Sequence, residues 1–142
     1  LAALSFLPEE FVAKRWDTHP NKPAFTPLAE GDRVVLHGHC HQKALWGAGT
    51  SSQALQLACG SNVETLDTGC CGMAGSFGYT KDRYDLSMQI GELTLFPAVR
   101  KANDATMIAA PGTSCRHQIH DGTGKKAVHP IEILAWRLAA NS

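Results

Sequence analysis

The sequence predicts an α/β fold: one domain of three layers, a mainly parallel four-stranded sheet flanked by helices. Three observations carry that expectation. Short β-branched apolar runs alternate with stretches of helical spacing, glycine or proline closes most of the runs, and the strand, helix, strand, helix order is the one that right-handed crossovers make. A chain of 142 residues with 44% hydrophobic and 18% charged residues is sufficient for one packed core.

The opening stretch holds Pro8, Pro20, Pro23 and Pro27 with little periodicity, and the chain starts at Leu1 rather than Met. Residues 1–31 therefore read as a connector from an upstream domain of a longer polypeptide, and residues 32–142 as the folded domain. Asp32-Arg33 leads into VVLHG, a buried strand over residues 33–37 ended by Gly38. SSQALQLAC (51–59) offers a serine cap, apolar positions at Leu55, Leu57 and Ala58, and Gly60 as a stop, which predicts a helix. NVETLDT then predicts a second strand over 63–66. From Asp82 to Ala102, Leu86, Ile90, Leu93 and Phe96 recur at helical spacing, with Gly91 and Pro97 able to bend or split the helix, so one long helix and two short ones are both open. ATMIAA (105–110) predicts a third strand. Pro111-Gly112 breaks it, and Thr113 or Ser114 could cap a short helix carrying Cys115 and His117. Asp121 in DGTGKK reads as a turn residue, KKAVHP as a fourth strand and IEILAWRLAA as a closing helix. His129, Phe96 and Trp136 read as core or helix-end residues.

Thirteen basic residues balance 13 acidic ones, and no run of basic residues is longer than a pair such as Lys125-Lys126, so the chain shows no electrostatic footprint for nucleic acid. No apolar run approaches the roughly 20 residues a membrane-spanning helix needs, and LAALSFLPEEF lacks the basic start of a signal peptide. These features predict a cytoplasmic protein with no transmembrane segment.

Five cysteines are too few for a disulfide scaffold, and their odd number leaves one over. Cys40, the Cys70-Cys71 pair and Cys115 each follow one of the proposed strands. In a parallel sheet those positions share one edge, where ligands gather. Four thiolates arriving on three loops can close a site for zinc or an iron-sulfur cluster. The glycines of LDTGCCGMAGSFGY (66–79) would let the backbone turn sharply and present unhindered N–H groups to sulfur. The plainer reading is that these are buried cysteines needing no ligand, and Cys59, on a helix face, fits that reading best.

GMAGSFG could instead cradle a phosphate, but its GxxGxxG spacing matches neither the dinucleotide nor the P-loop pattern. His37, His39 and His41 alternate and would share one face only if the strand ran past Gly38. His41 and His117 are candidates to support thiolates through hydrogen bonds, or to ligate zinc, with ordinary packing equally open. A Cys-His hydrolase or transferase would need an orienting group and a substrate pocket, neither of which the sequence names.

GHCHQKAL, LDTGCCGMAGSFGY, PGTSCRHQI and HPIEILA, in this order, resemble the cysteine-rich CCG domain of iron-sulfur oxidoreductases. That group includes subunits of glycolate oxidase, anaerobic glycerol-3-phosphate dehydrogenase, lactate-utilisation proteins and heterodisulfide reductase. Over about residues 33–137 the chain is most similar to the C-terminal part of bacterial fusion proteins that join a flavin-binding D-2-hydroxy-acid (D-lactate or D-2-hydroxyglutarate) dehydrogenase to an iron-sulfur region. The resemblance implies a metal centre, [4Fe-4S] or zinc, on Cys40, Cys70, Cys71 and Cys115. It also implies FAD in an upstream domain of the same chain, and an electron acceptor that is a quinone or another electron carrier. The location would be the cytoplasm or the inner membrane face. The alternative is a structural zinc or docking module of the same enzyme without redox work. The family's terminal C-x-x-C places its first cysteine at Gly112 here, so a fifth thiolate is absent.

Overall fold

Val34, Val35 and Leu36 are all buried, yet they serve two different cores, because successive side chains of a strand point to opposite faces. Val34 and Leu36 pack with Leu55, Ala58, Ile133 and Leu134, whereas Val35 packs with Leu95, Phe96, Val99 and Ile119. A strand buried on both sides is the mark of a sheet covered by helices on both faces. The fold is therefore a three-layer α/β domain.

In the computed structural model, residues 4–139 are described. The first three residues of the expected connector and residues 140–142 at the end of the chain, with the last residue of the expected closing helix, lie outside them. The elements in chain order are α1 (Pro8–Arg15), β1 (Arg33–Leu36), α2 (Cys40–Leu45), α3 (Gly49–Cys59), β2 (Val63–Thr65), α4 (Tyr84–Leu93), α5 (Leu95–Lys101), β3 (Thr106–Ala109), α6 (Thr113–Thr123), β4 (Ala127–Val128) and α7 (Pro130–Arg137). The strand order is β2-β1-β3-β4, and every pairing is parallel, with Val34 opposite Val63 and Met107, and Ile108 opposite Ala127. α1, α3 and α7 cover one face; α4, α5 and α6 cover the other. Among the described residues no helix is long and apolar enough to cross a membrane.

The expected strands all form, each within two residues of its expected bounds. Three local expectations are corrected. The span from Asp82 to Ala102 is two helices, and the break falls at Thr94 (φ −145°) rather than at Gly91 or Pro97. Pro97 sits in the first turn of α5, where its missing N–H deprives the helix of no bond. Neither Thr113 nor Ser114 caps α6; Gly112 holds that position. Asp121 is not a turn residue, because α6 continues through it to Thr123 and ends on Gly124 in the left-handed conformation. Two helices lie where no helix was expected. α2 begins at Cys40, and α1, in the proline-rich opening, packs on α3 and α7. Phe25 also bridges to Leu138, tying this opening stretch to the end of the chain.

Candidate metal centre

The strand order changes direction at β1, which has β2 on one side and β3 on the other. A crevice opens beyond the carboxyl ends of β1 and β3 at such a point. Cys40 starts α2 four residues after β1 ends, and Cys115 is the third residue of α6, after β3. Cys70-Cys71 occupy the loop after β2, on the same edge.

The four sulfurs interact. Cys115 hydrogen-bonds the Cys71 sulfur and pulls its pKa down to about 6 against the opposing effect of burial. The same bond pushes the Cys115 thiol up, reinforced by burial and by the charges of Cys71, Cys40 and Cys70. Burial, with the neighbouring Cys71 and Cys40, raises Cys70, although the Gly72 N–H donates to its sulfur at 3.3 Å. All five cysteines are free thiols. Cys59 stands apart on α3 in the opposite core; burial raises it, and its only charged neighbour of consequence is Arg137.

The cysteine loop has little regular structure of its own beyond a single 3₁₀ turn at Phe77–Tyr79, so side chains from elsewhere hold it. His37 Nδ1 lies 2.8 Å from Thr68 Oγ1, and Lys43 Nζ donates to the Thr68 carbonyl at 2.5 Å. Thr94 Oγ1 accepts from the Gly69 N–H at 2.9 Å. Beyond the cysteines, Ser87 Oγ donates to the Gly72 carbonyl at 2.9 Å and accepts from Gln118 Nε2 at 2.8 Å. Gly72 itself has φ +95°, and a Cβ there would stand 2.0 Å from the Ser87 carbonyl oxygen, so only glycine fits.

His37, His39 and His41 do not share a face, since β1 ends at Leu36. His37 is fully buried, His39 precedes α2 as its N-cap, and His41 is exposed with its ring centroid 6.4 Å from that of His39. His117 is exposed and its Nδ1 lies 2.7 Å from Tyr79 Oη. Neither His41 nor His117 is among the groups that shift the thiols. Gly112, where the fifth cysteine of the resemblance would fall, has no room for one: a Cβ would stand 2.3 Å from His39 Cδ2 and 3.0 Å from Cys115 Sγ. The supports Thr68, Lys43, Thr94, Ser87 and Gln118 were not foreseen. Only Thr68 had a signal, its place in the LDTGCC motif.

Among the described residues, no three or more His, Cys, Asp or Glu side chains are drawn together in the geometry of a metal site. The donor chemistry nevertheless suits a thiophilic ion: four sulfurs in one electrostatic neighbourhood, one of them favouring the thiolate, beside a glycine-bearing loop.

One subunit of the anaerobic glycerol-3-phosphate dehydrogenase of Escherichia coli K12 is 32% identical over 136 residues, which cover 90% of this chain and 32% of that protein. The chain is homologous to segments of dehydrogenases. D-2-hydroxyglutarate dehydrogenase from the same strain is 30% identical over 90% of this chain and 12% of its own length. The Pantoea ananatis D-2-hydroxyglutarate dehydrogenase is 32% identical over 75% of this chain and 10% of its own. The chain thus spans a third or less of the length of these curated relatives. No family model matches it, and no solved structure does.

Proposed function

We propose that this domain is the metal-bearing, electron-carrying module of a flavin-dependent D-2-hydroxy-acid oxidoreductase, and that Cys40, Cys70, Cys71 and Cys115 hold its metal. The observation that carries this reading is that three separate segments deliver four thiols to one sheet edge, where Cys71 and Cys115 share a hydrogen bond and Cys40 and Cys70 act on their neighbours' ionisation. The similarity to dehydrogenase segments supports the oxidoreductase context. An iron-sulfur centre bound here would supply one-electron transfer. The chain's own contribution is to fix the sulfurs through Thr68, Gly69 and Gly72, to keep Cys71 and Cys115 from water, and to hold the Cys115 proton against the Cys71 sulfur until metal displaces it.

In this reading, FAD and the site of 2-hydroxy-acid oxidation belong to an upstream domain, and a quinone or another electron carrier takes the electrons. The module works in the cytoplasm or at the inner membrane face. His41 and His117 stand at the rim as outer contributors.

Metal analysis of anaerobically purified protein tests the proposal. Iron with acid-labile sulfide, lost in Cys71→Ser and retained in Cys59→Ser, is the expected result. Stoichiometric zinc would reassign the module to structure or docking, and equal loss from both variants would refute the assignment of the cysteines.

A further inference from the structure

α4 turns a polar residue to the core where an apolar one would be expected. It buries Ser87 and Gly91, while Leu86 and Leu93 on the same helix are 51% and 77% exposed. Hydrophobic burial alone would favour a different rotation of the helix.

The surroundings of Ser87 account for its orientation. The first and last glycines of GMAGSFG close on it: a Cβ on Gly72 would stand 2.0 Å from the Ser87 carbonyl oxygen, and one on Gly78 would stand 2.4 Å from Ser87 Oγ. The loop motif, whose spacing matches no phosphate-binding pattern, thus admits this one residue of α4.

Hydrogen bonding then fixes a direction. The Gly72 carbonyl, 2.9 Å from Ser87 Oγ, can only accept, so the single hydroxyl proton of Ser87 goes to it. The neighbour at 2.8 Å must therefore donate, and Gln118, fully buried on α6, presents its Nε2 there. In that orientation Gln118 Oε1 has no hydrogen-bond partner among the described residues, a cost that an apolar pair of similar shape would avoid. A polar relay kept in the core at such a cost points to a task other than stability.

The relay ends beside a sulfur. The Gly72 N–H donates to Cys70 Sγ at 3.3 Å. Glycine has more torsional freedom than any other residue, but here its carbonyl is held by the Ser87 hydroxyl and its Cα lies against the Ser87 carbonyl, which keeps that N–H on the sulfur. An N–H donated to a thiolate draws electron density from it, and such bonds help set both the potential and the affinity of a thiolate-held metal.

We propose that Ser87 and Gln118 are positioning residues for the metal centre: the relay from Gln118 Nε2 through Ser87 Oγ to Gly72 aims the Gly72 N–H at Cys70 Sγ and so sets the electron density of that ligand. This role deepens the metal-centre reading and rests on Cys70 being a ligand.

Two readouts test it, and the first needs no metal. In metal-free protein, nitrogen-15-resolved hydrogen exchange compares the Gly72 amide with that of Gly69, which a separate tether, Thr94 Oγ1, holds. Ser87→Ala should speed exchange at Gly72 about tenfold and move its proton resonance upfield with little change at Gly69, whereas Thr94→Val should do the reverse. Both amides responding in both variants would mean general loosening of the loop and overturns the proposal. Cobalt(II) titrated into the reduced protein reads the sulfur itself. Ser87→Ala should move the thiolate-to-cobalt charge-transfer band to longer wavelength and weaken cobalt binding about tenfold, while Thr94→Val leaves the band in place. Gln118→Met, which removes the amide at similar length, should move the band the same way by less, and it decides the matter if Ser87→Ala does not fold. Cobalt binding with an unmoved band in these variants overturns the proposal and leaves the metal reading standing. Failure of the wild-type protein to take up cobalt counts against the metal reading, and the Gly72 amide then decides whether Ser87 aims it.

Discussion

The buried imidazole of His37 and the hydroxyl of Thr68 stand 2.8 Å apart, joining the end of β1 to the loop that carries the vicinal cysteines. His37 has no exposed surface, and burial, aided by Lys43 and His39, brings its pKa down from 6.5 to about 4. Its Nε2 has no partner among the described residues.

Acid should therefore destabilise the protein through this ring. The unfolded chain binds the proton below pH 6.5 and the folded one only near pH 4, so stability falls as pH drops through that window and levels off below it. A shift of this size corresponds to about 3 kcal/mol. Urea unfolding at several pH values should show this loss, and His37→Gln should flatten the part of the slope due to this residue.

Gly72→Ala should be severe. The new methyl would meet the Ser87 carbonyl in a backbone conformation that alanine resists, and a loss of about 2–4 kcal/mol is expected. Chemical denaturation measures it. Ser87→Ala, which removes only the hydroxyl between Gln118 and Gly72, should cost about 1–2 kcal/mol.

In metal-free protein, Cys71 should ionise near pH 6 while Cys115 stays protonated. The folded pKa of Cys71 lies below its ordinary 9.0, so this contribution to stability is complete above pH 9.0 and disappears as pH falls through 6. Ultraviolet thiolate absorbance follows the titration. Cys115→Ala removes the donated hydrogen bond and should move the midpoint upward.

Phe96 fills the space between α4 and α6. Cβ atoms placed on Gly91 or Gly122 would each come within 2.3 Å of its ring. Phe96→Ala should cost about 3–5 kcal/mol, and Gly91→Ala about 1–3 kcal/mol through overpacking. Combining the two should recover part of the Gly91→Ala penalty, a coupling that a double-mutant cycle reads directly.

The sheet was legible because VVL and ATMIAA are apolar runs bounded by breakers, and the parallel order followed from the helical spacing between them. The shared edge of the cysteines followed from that order. α2 escaped notice because HGHCHQ has no apolar period, and α1 because its prolines mask a helix stabilised mainly by packing on α3. The supports of the loop were invisible for a different reason. Ser87 lies 15 residues from Gly72 and 31 from Gln118, distances at which a single sequence carries no pairing signal. Glu9 and Gln42 likewise read as ordinary surface polar residues until tertiary packing buries them.

The cysteine loop is fastened by a few side-chain tethers, whereas the sheet beneath it is locked by continuous backbone ladders and two cores. Mild heating should therefore release the rim first, as local openings require less free energy than global melting. Protein warmed in this way would keep its far-ultraviolet signature and lose its sulfur chemistry, so an inactive preparation can look fully folded.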